Sequence, residues 1–226
     1  MFFDWTFILL IPAAAFAMYA QFKVKSTYEK YSDVRTSSGI SALFLARNLL
    51  DSNQLTSIDI SRSSGELTDN YDPRDKSLHL SDGVYNSSSI AALGIVAHEV
   101  GHAVQDSKSY LPLKLRSSIV PVSNLGSSLS IPLFFVGLIF SYGPLMDAGI
   151  ILFTLAVIFT IVTLPVEFNA SNRAAVMLSN SGYVTKEELG MAKQVLNAAA
   201  LTYVAAAAMA VMQLIRLLVL RSGRDD

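Results

Sequence analysis

The sequence predicts a mainly α-helical membrane protein in which about four transmembrane helices are combined with a small soluble α+β part. Charged residues make up 15% of the 226 residues, below the roughly 25% that is usual for soluble domains. Four long runs contain no Asp, Glu, Lys or Arg: 5–22, 117–146, 148–166 and 194–215. The rest of the chain therefore carries all the charges, at a density typical of a soluble domain.

The first apolar run is expected to be a retained membrane anchor, residues 1–22. A signal peptide is the alternative, because Ala15-Phe16-Ala17 resembles a small-residue cleavage site. Signal peptides carry positive charge before the apolar stretch, however, and here only Asp4 precedes it. The basic patch follows the run instead, as is common for an anchor: Lys23, Lys25 and Lys30.

The two middle runs predict a transmembrane helical hairpin over residues 117–166. Ile119–Phe140 and Ala148–Val166 are each long enough to cross ~30 Å of hydrocarbon, and the turn-like segment 141–144 joins them. The last run, inside residues 194–220, is rich in alanine and less hydrophobic. We predict a fourth span there; the alternative is a helix packed on the other three.

The soluble part is expected in two pieces, residues 23–116 and 167–193. In the first piece, apolar residues at helical spacing predict a helix over 37–50. Alternation of apolar and polar residues around 58–60, and again around 78–80, predicts half-buried strands. Between them, Asp72-Pro73-Arg74-Asp75 is typical of a tight turn. In the second piece, a helix is expected to begin near Thr185.

The balance of charges and the missing cysteines narrow the function classes. The chain has 17 Lys and Arg against 18 Asp and Glu, which argues against nucleic acid as a partner because phosphates require an excess of cations. It contains no cysteine, which excludes a disulfide scaffold, a cysteine-ligated zinc ribbon and a thiol nucleophile. The histidines are only His79, His98 and His102, so a metal site has to combine them with carboxylates.

One motif points to metal chemistry. Ser87–Ser89 offers an N-cap for a helix over 90–105, and this helix contains His98-Glu99-Val100-Gly101-His102. Residues four apart on a helix differ by only about 40° of rotation, so both imidazoles project from one face. This arrangement suits two ligands of a tetrahedral zinc ion. Glu99 is rotated by about 100° from His98 about the helix axis, so it can reach a metal-bound water without being a ligand itself. The structural alternative is a pair of histidines hydrogen-bonded in the core.

A catalytic zinc requires a third protein ligand and an open position. A metzincin would have Gly and His where this chain has Gln105 and Lys108, so that class is excluded. Glu167 opens a small-residue helix directly after the third apolar run, as close packing against the motif helix would require. Its alternative role is to cap a helix N-terminus at the membrane boundary. Glu187 and Glu188 are expected to begin a solvated helix.

These residues resemble a known family. HExxH followed by two predicted spans and then Glu-x-x-Ala at 167–170 is similar to the membrane-bound gluzincins, which include HtpX and the CaaX prenyl proteases. The resemblance to the YugP-like neutral zinc metallopeptidases of bacteria is closer and covers nearly the whole chain. HEVGHAxQ is matched by His98–Gln105 and LPVEF by Leu164–Phe168, and the stretch 70–81 resembles that family's edge strand.

The resemblance implies a zincin-like catalytic domain at residues 23–116 with Glu99 as general base. It implies one Zn²⁺ per chain, bound by His98, His102 and Glu167. HtpX-like enzymes carry Asp where this chain has Ser171. Such a residue orients a ligand histidine from behind, a role that Ser171 or Asn172 is expected to take.

The expected reaction is hydrolysis of a peptide bond. Zinc lowers the pKa of a water towards ~7, and Glu99 takes its proton before attack on the polarised carbonyl. The tetrahedral oxyanion needs a further donor, for which there are four candidates: Tyr71, Arg173, Tyr183 and Tyr203. An extended peptide is expected to pair with the backbone at Asn70–Tyr71 and at Leu78–Leu80. His79 is a weaker candidate for substrate binding, because its place in an alternating strand favours a structural role.

Two function classes remain. The first is an integral membrane zinc endopeptidase that acts on peptides or membrane proteins. The second is a catalytically silent membrane scaffold with a structural zinc site. Structural zinc sites are usually closed by four protein ligands, and the sequence offers no obvious fourth, which favours the enzyme.

The basic residues predict a catalytic site on the cytoplasmic side of the cell membrane, close to the bilayer. In a four-span arrangement, nine cations near the spans fall on one side: Lys23, Lys25, Lys30, Lys108, Lys114, Arg116, Arg173, Lys186 and Lys193. The loop 141–146 on the other side has none. Three cations would lie outside if the fourth span crosses fully: Arg216, Arg221 and Arg224.

Overall fold

The computed structural model of the protein describes residues 5–223, with the backbone alone at Val122 and Leu125. The first four residues of the predicted anchor, and Arg224, lie outside the described residues. After a 3₁₀ segment, Trp5–Leu10, the helices are α1 Ile11–Ser32, α2 Ala42–Ser52, α3 Asp82–Tyr85, α4 Ile90–Ser107, α5 Leu111–Ile139, α6 Gly143–Ser181 and α7 Lys186–Ser222. The strands are β1 Asp59–Ser63, β2 Asn70–Asp72 and β3 Ser77–Ser81. The protein is mainly helical with a small sheet, as predicted.

The chain divides into two compact units. Unit 1 consists of Met1–Gln21, Lys114–Pro165 and Thr202–Asp226, and unit 2 of Phe22–Leu113 and Val166–Leu201.

Within the described residues, three helical segments are long and apolar enough to cross a membrane: Trp5–Ser32, Gly143–Ser181 and Lys186–Ser222. The predicted span at 119–140 differs from these, because α5 is bent by 50° between Leu111–Pro121 and Gly126–Ile139. Pro121, which lacks a backbone N–H, is the last residue before this break. Up to four spans result if the two parts of α5 are counted as one.

Within unit 1, α5 and α6 approach closely at glycines. A Cβ atom on Gly149 would lie 2.8 Å from the Phe134 backbone nitrogen, and one on Gly137 would lie 2.7 Å from that of Met146. Small residues at such contacts are typical of membrane helices, which have no hydrophobic effect to drive their packing. The predicted turn is confirmed, since α5 ends at Ile139 and α6 begins at Gly143.

The sheet of unit 2 has the order β1-β3-β2. β3 pairs with β1 in parallel and with β2 in antiparallel register. The expectation that Leu78–Leu80 forms a peptide-binding edge is therefore wrong, because β3 has a strand on each side. Of the two predicted pairing segments, only Asn70–Tyr71 lies on an edge strand, β2.

The core of unit 2 is built from α2, α4 and the sheet. Leu45, Leu78 and Leu93 are fully buried in one hydrophobic cluster. α2 begins at Ala42 rather than at residue 37, because the Ser41 Oγ atom caps it by accepting the Phe44 N–H at 3.2 Å. The predicted tight turn at 72–75 is confirmed between β2 and β3.

Two expectations for the second soluble piece need correction. α6 continues without a break through Glu167 to Ser181, so no helix starts at Glu167. The helix start near Thr185 is confirmed, and Glu188 caps it by accepting the Thr185 N–H at 2.7 Å. Glu188 is buried, however, because it also accepts the Ser37 N–H at 2.6 Å. Of the two glutamates expected to be solvated, only Glu187 is exposed.

Candidate metal centre

Helix α4 presents the two motif histidines on one face. Its start is fixed by Ser89, whose Oγ atom accepts the Ala92 N–H at 3.2 Å, so the predicted cap is confirmed. The rings of His98 and His102 lie one turn apart, with their centroids 4.7 Å from each other. Most of the other α4 residues are buried, which fixes the rotation of the helix and with it the direction of both rings.

Glycine and alanine allow α6 to lie directly against this helix. A Cβ atom on Gly101 would lie 2.7 Å from the carbonyl oxygen of Ala170, a distance that real Cβ contacts do not reach. Ala170 and Ala174 are fully buried in the same contact region. Glu167 lies on α6 almost one turn before Ala170, so its carboxylate reaches the histidines.

The three side chains form a compact group of ligand atoms. One atom each from His98, His102 and Glu167 lies within 4.8 Å of the others. The Glu167 Oε2 atom is 3.1 Å from His98 Nε2 and 3.5 Å from His102 Nε2. The side chains are 13%, 12% and 3% exposed, in the same order. No second group of this kind occurs in the part of the chain that the structure describes.

The group fits zinc by the chemistry of its donors. Imidazole nitrogens and a carboxylate oxygen are zinc ligands, and three of them leave one position of a tetrahedron open. Asp106 is not a member of the group. Its Oδ2 atom instead accepts hydrogen bonds from the Tyr71 hydroxyl, at 2.7 Å, and from the Lys76 ammonium.

Glu99 lies beside the ligand group without belonging to it. Its Oε2 atom accepts the Tyr71 N–H at 3.0 Å, which ties the carboxylate to β2. Burial raises the pKa of the Glu99 carboxyl above its ordinary value, against the opposing effect of the neighbouring histidines.

Each histidine has a hydrogen-bond partner behind it. His98 Nδ1 lies 3.1 Å from the Ser171 Oγ atom, so of the two expected residues Ser171 makes this contact, whereas Asn172 is exposed. His102 Nδ1 lies 3.0 Å from Gln105 Oε1. Sequence reasoning did not assign a role to Gln105, although its spacing of three residues from His102 places it on the same helix face.

The remaining candidates are placed outside the ligand group. Arg173 donates from Nε to Asn169 Oδ1 at 2.7 Å, and Tyr183 packs edge-on against Phe44. Tyr203 belongs to unit 1. Tyr71 contacts Glu99 through its backbone, as described above.

The two substrate-binding candidates on the sheet differ in their surroundings. The ring nitrogens of His79 are each 2.7 Å from a serine hydroxyl, Ser61 for Nδ1 and Ser77 for Nε2. Those contacts tie the His79 ring to the sheet. Asn70 is exposed at the start of β2, in register with His79.

Comparison with known proteins agrees with this chemistry. Residues 6–222 match the family described as "Putative neutral zinc metallopeptidase". Over 219 residues the chain is 44% identical to "Putative membrane protease YugP" of Bacillus subtilis (strain 168). The aligned region covers 96% of this chain and 97% of that protein. No solved structure matches the chain.

Proposed function

The chain belongs to the neutral zinc metallopeptidase family, and from this premise we propose that it is an integral membrane zinc endopeptidase. The observation that carries the proposal is the convergence of three zinc-type ligand atoms within 4.8 Å, with a further glutamate beside them. His98, His102 and Glu167 would hold the ion. When bound, zinc supplies a Lewis acid that acidifies water and polarises a carbonyl oxygen.

Glu99 is the proposed general base. It accepts a proton from the attacking water at a carboxylate oxygen and returns it to the leaving amine nitrogen. Its position supports this role, because the carboxylate lies beside the ligand group without being one of its members. The Tyr71 N–H holds the carboxylate in place while it is not in contact with substrate.

We place the peptide substrate along β2. This strand lies at one edge of the sheet, and its Tyr71 N–H is directed to Glu99 rather than to β3. An extended peptide that adds to this edge would run past Glu99, the proposed base. Asn70, which precedes Tyr71 on β2, would then lie beside the peptide. Peptides and membrane proteins are the proposed substrates, which is supported by the described helices that are long and apolar enough to cross a bilayer.

The proposed location of the site is the cytoplasmic face of the membrane, which rests on the distribution of lysine and arginine around the spans. Single cysteines at Ser63 and Ser141 test it, because the chain contains no other thiol. In intact cells, an impermeant thiol reagent is expected to label Ser141→Cys and to spare Ser63→Cys. The reverse pattern contradicts the orientation.

Substitution of Glu99 by Gln tests the catalytic role. We expect the purified full chain to keep about one zinc per chain, since Glu99 is not a ligand, and to lose peptidase activity by roughly 10²–10⁴-fold. Retained turnover in Glu99→Gln would contradict the mechanism. A wild-type protein that binds zinc and cleaves no peptide would favour the scaffold with a structural zinc.

A further inference from the structure

Gln105 is fully buried and hydrogen-bonded at both ends of its amide. Its Nε2 atom donates to the carbonyl oxygen of Val166 at 2.8 Å and to Asn169 Oδ1 at 3.1 Å. Its Oε1 atom lies 3.0 Å from His102 Nδ1. The side chain therefore connects the third-ligand segment of α6 to a ligand histidine on α4.

The chemistry of the neighbours allows only one orientation of this amide. A backbone carbonyl only accepts hydrogen bonds, so the Gln105 atom facing Val166 must be the NH₂ group. The Arg173 guanidinium only donates, and its Nε atom lies 2.7 Å from Asn169. Asn169 must therefore present its oxygen there, and the same oxygen accepts from Gln105. Two independent neighbours thus require the NH₂ of Gln105 on the α6 side.

The orientation of Gln105 decides where His102 carries its proton. The Gln105 oxygen only accepts, so the His102 Nδ1 atom facing it must be an N–H. The other ring nitrogen, Nε2, faces Glu167 Oε2 at 3.5 Å. With Nδ1 held as an N–H by Gln105, Nε2 is the nitrogen that gives up its proton when the ring becomes a metal ligand. We propose that Gln105 is a positioning residue that selects the Nδ1–H tautomer of His102 and so presets Nε2 as a metal ligand before any ion binds.

Among the described residues, the Nδ1 atom of His98 has no partner that only accepts hydrogen bonds. The partner of its Nδ1 atom is the Ser171 hydroxyl, which can donate or accept. Ser171 therefore fits either tautomer of His98. The two histidines of one motif differ in this respect. Gln105 requires an N–H at His102 Nδ1, whereas Ser171 sets no such requirement at His98 Nδ1, and the other ring nitrogen of His98 faces the Glu167 carboxylate at 3.1 Å.

This inference rests on the proposed zinc site, but its main test needs no zinc and no activity. The tautomer of each neutral imidazole can be read from ¹⁵N chemical shifts of the metal-free full chain at alkaline pH, and only three histidines contribute. We expect His102 to be protonated at Nδ1. A mixture of tautomers at His102, or an Nε2–H ring, would overturn the proposal whether or not the protein is a peptidase.

Substitution Gln105→Met provides the second arm, with Ser171→Ala as the matched control at the other histidine. In metal-free Gln105→Met we expect a mixture of tautomers at His102, and in zinc titrations a loss of affinity of roughly 10–100-fold. Ser171→Ala should leave the His102 tautomer unchanged. A His102 ring that keeps its single tautomer in folded Gln105→Met contradicts the assignment, because a purely structural role of Gln105 would have that result.

Discussion

Unit 1 and unit 2 are both rich in apolar residues, but unit 1 exposes many of these side chains, whereas unit 2 buries them in a core. In α6 and α7, only 22% of the most apolar window is buried, and side chains such as Ile151 are largely exposed. In unit 2, most of α4 is buried, and leucines such as Leu45 and Leu93 fill a continuous core. The first arrangement suits a bilayer as solvent and the second suits water.

The difference shows where a polar site can form in this chain. The ligand group and Glu99 all lie in unit 2, where a packed core and buried hydrogen bonds fix side-chain positions. Glu167 is only two residues beyond the Pro165 boundary of unit 1, at the end of a charge-free run. A carboxylate at that point needs the partners that α4 supplies, since unpaired burial of a charge is costly.

The largest expected effect is loss of the metal from unit 2. We expect Glu167→Ala to bind essentially no zinc, because two imidazoles alone are a poor site. The exposed Glu187 offers the control: Glu187→Ala should keep about one zinc per chain. Metal content of the purified variants measures this. If Glu167→Ala keeps full occupancy, another group is the third ligand and the proposed site is wrong.

A pair of truncations tests the contrast in apolar surface. Leu45→Ala removes a fully buried side chain from the core of unit 2 and should cost about 2–5 kcal/mol of stability. Ile151→Ala removes an exposed side chain of unit 1 and should change the stability of the detergent-solubilised protein by less than about 0.5 kcal/mol. Unfolding midpoints of both variants, compared with wild type, check this. Equal effects would remove the distinction between the two units.

Glycine contacts provide a smaller, matched comparison. Gly101→Ala places a Cβ against the Ala170 carbonyl in unit 2, whereas Gly149→Ala places one against Phe134 in unit 1. Both should cost about 1–3 kcal/mol through overpacking, but only Gly101→Ala should also weaken zinc binding. A Cβ atom on Gly190 would meet none of the described residues within 4 Å, so Gly190→Ala should be neutral or slightly stabilising. Zinc binding and unfolding of the three variants distinguish these outcomes.

The smallest effect concerns alkaline pH. Burial and the hydrogen bond to Asp106 raise the pKa of the Tyr71 hydroxyl well above its ordinary value of about 10. The stability that its neutral form contributes is thus fully present below pH 10 and declines as the pH rises above it. Wild type should lose stability relative to Tyr71→Phe between about pH 10 and 11. The exposed Tyr142 of unit 1 is the control, and Tyr142→Phe should follow wild type throughout.

Local patterns in the sequence were enough for much of the site. The Ser89 cap and the four-residue spacing of His98 and His102 are properties of one helix, so they could be predicted without tertiary information. The small residues after Glu167 indicated close packing, which Gly101 and Ala170 provide. Each of these signals lies within a few residues along the chain.

What the sequence did not predict depends on distant contacts. Glu188 is buried where the loop at Ser37 packs against it, and its carboxylate accepts the Ser37 N–H from 151 positions away in the chain. β3 is central because β1 and β2 both add to it, an order that strand periodicity does not contain. α6 continues through Glu167. The end of a charge-free run indicates where the apolar surface ends, but it does not indicate that the backbone hydrogen bonds of the helix end there.

The proposed zinc ligands are two histidines of α4 and one glutamate of α6. Zinc K-edge X-ray absorption of the purified full chain can identify these ligands. We expect about one zinc per chain, with two imidazoles and oxygen ligands at about 2.0–2.2 Å, and loss of this spectrum in Glu167→Ala. A zinc spectrum without two imidazoles, or one that Glu167→Ala leaves unchanged, would contradict this assignment.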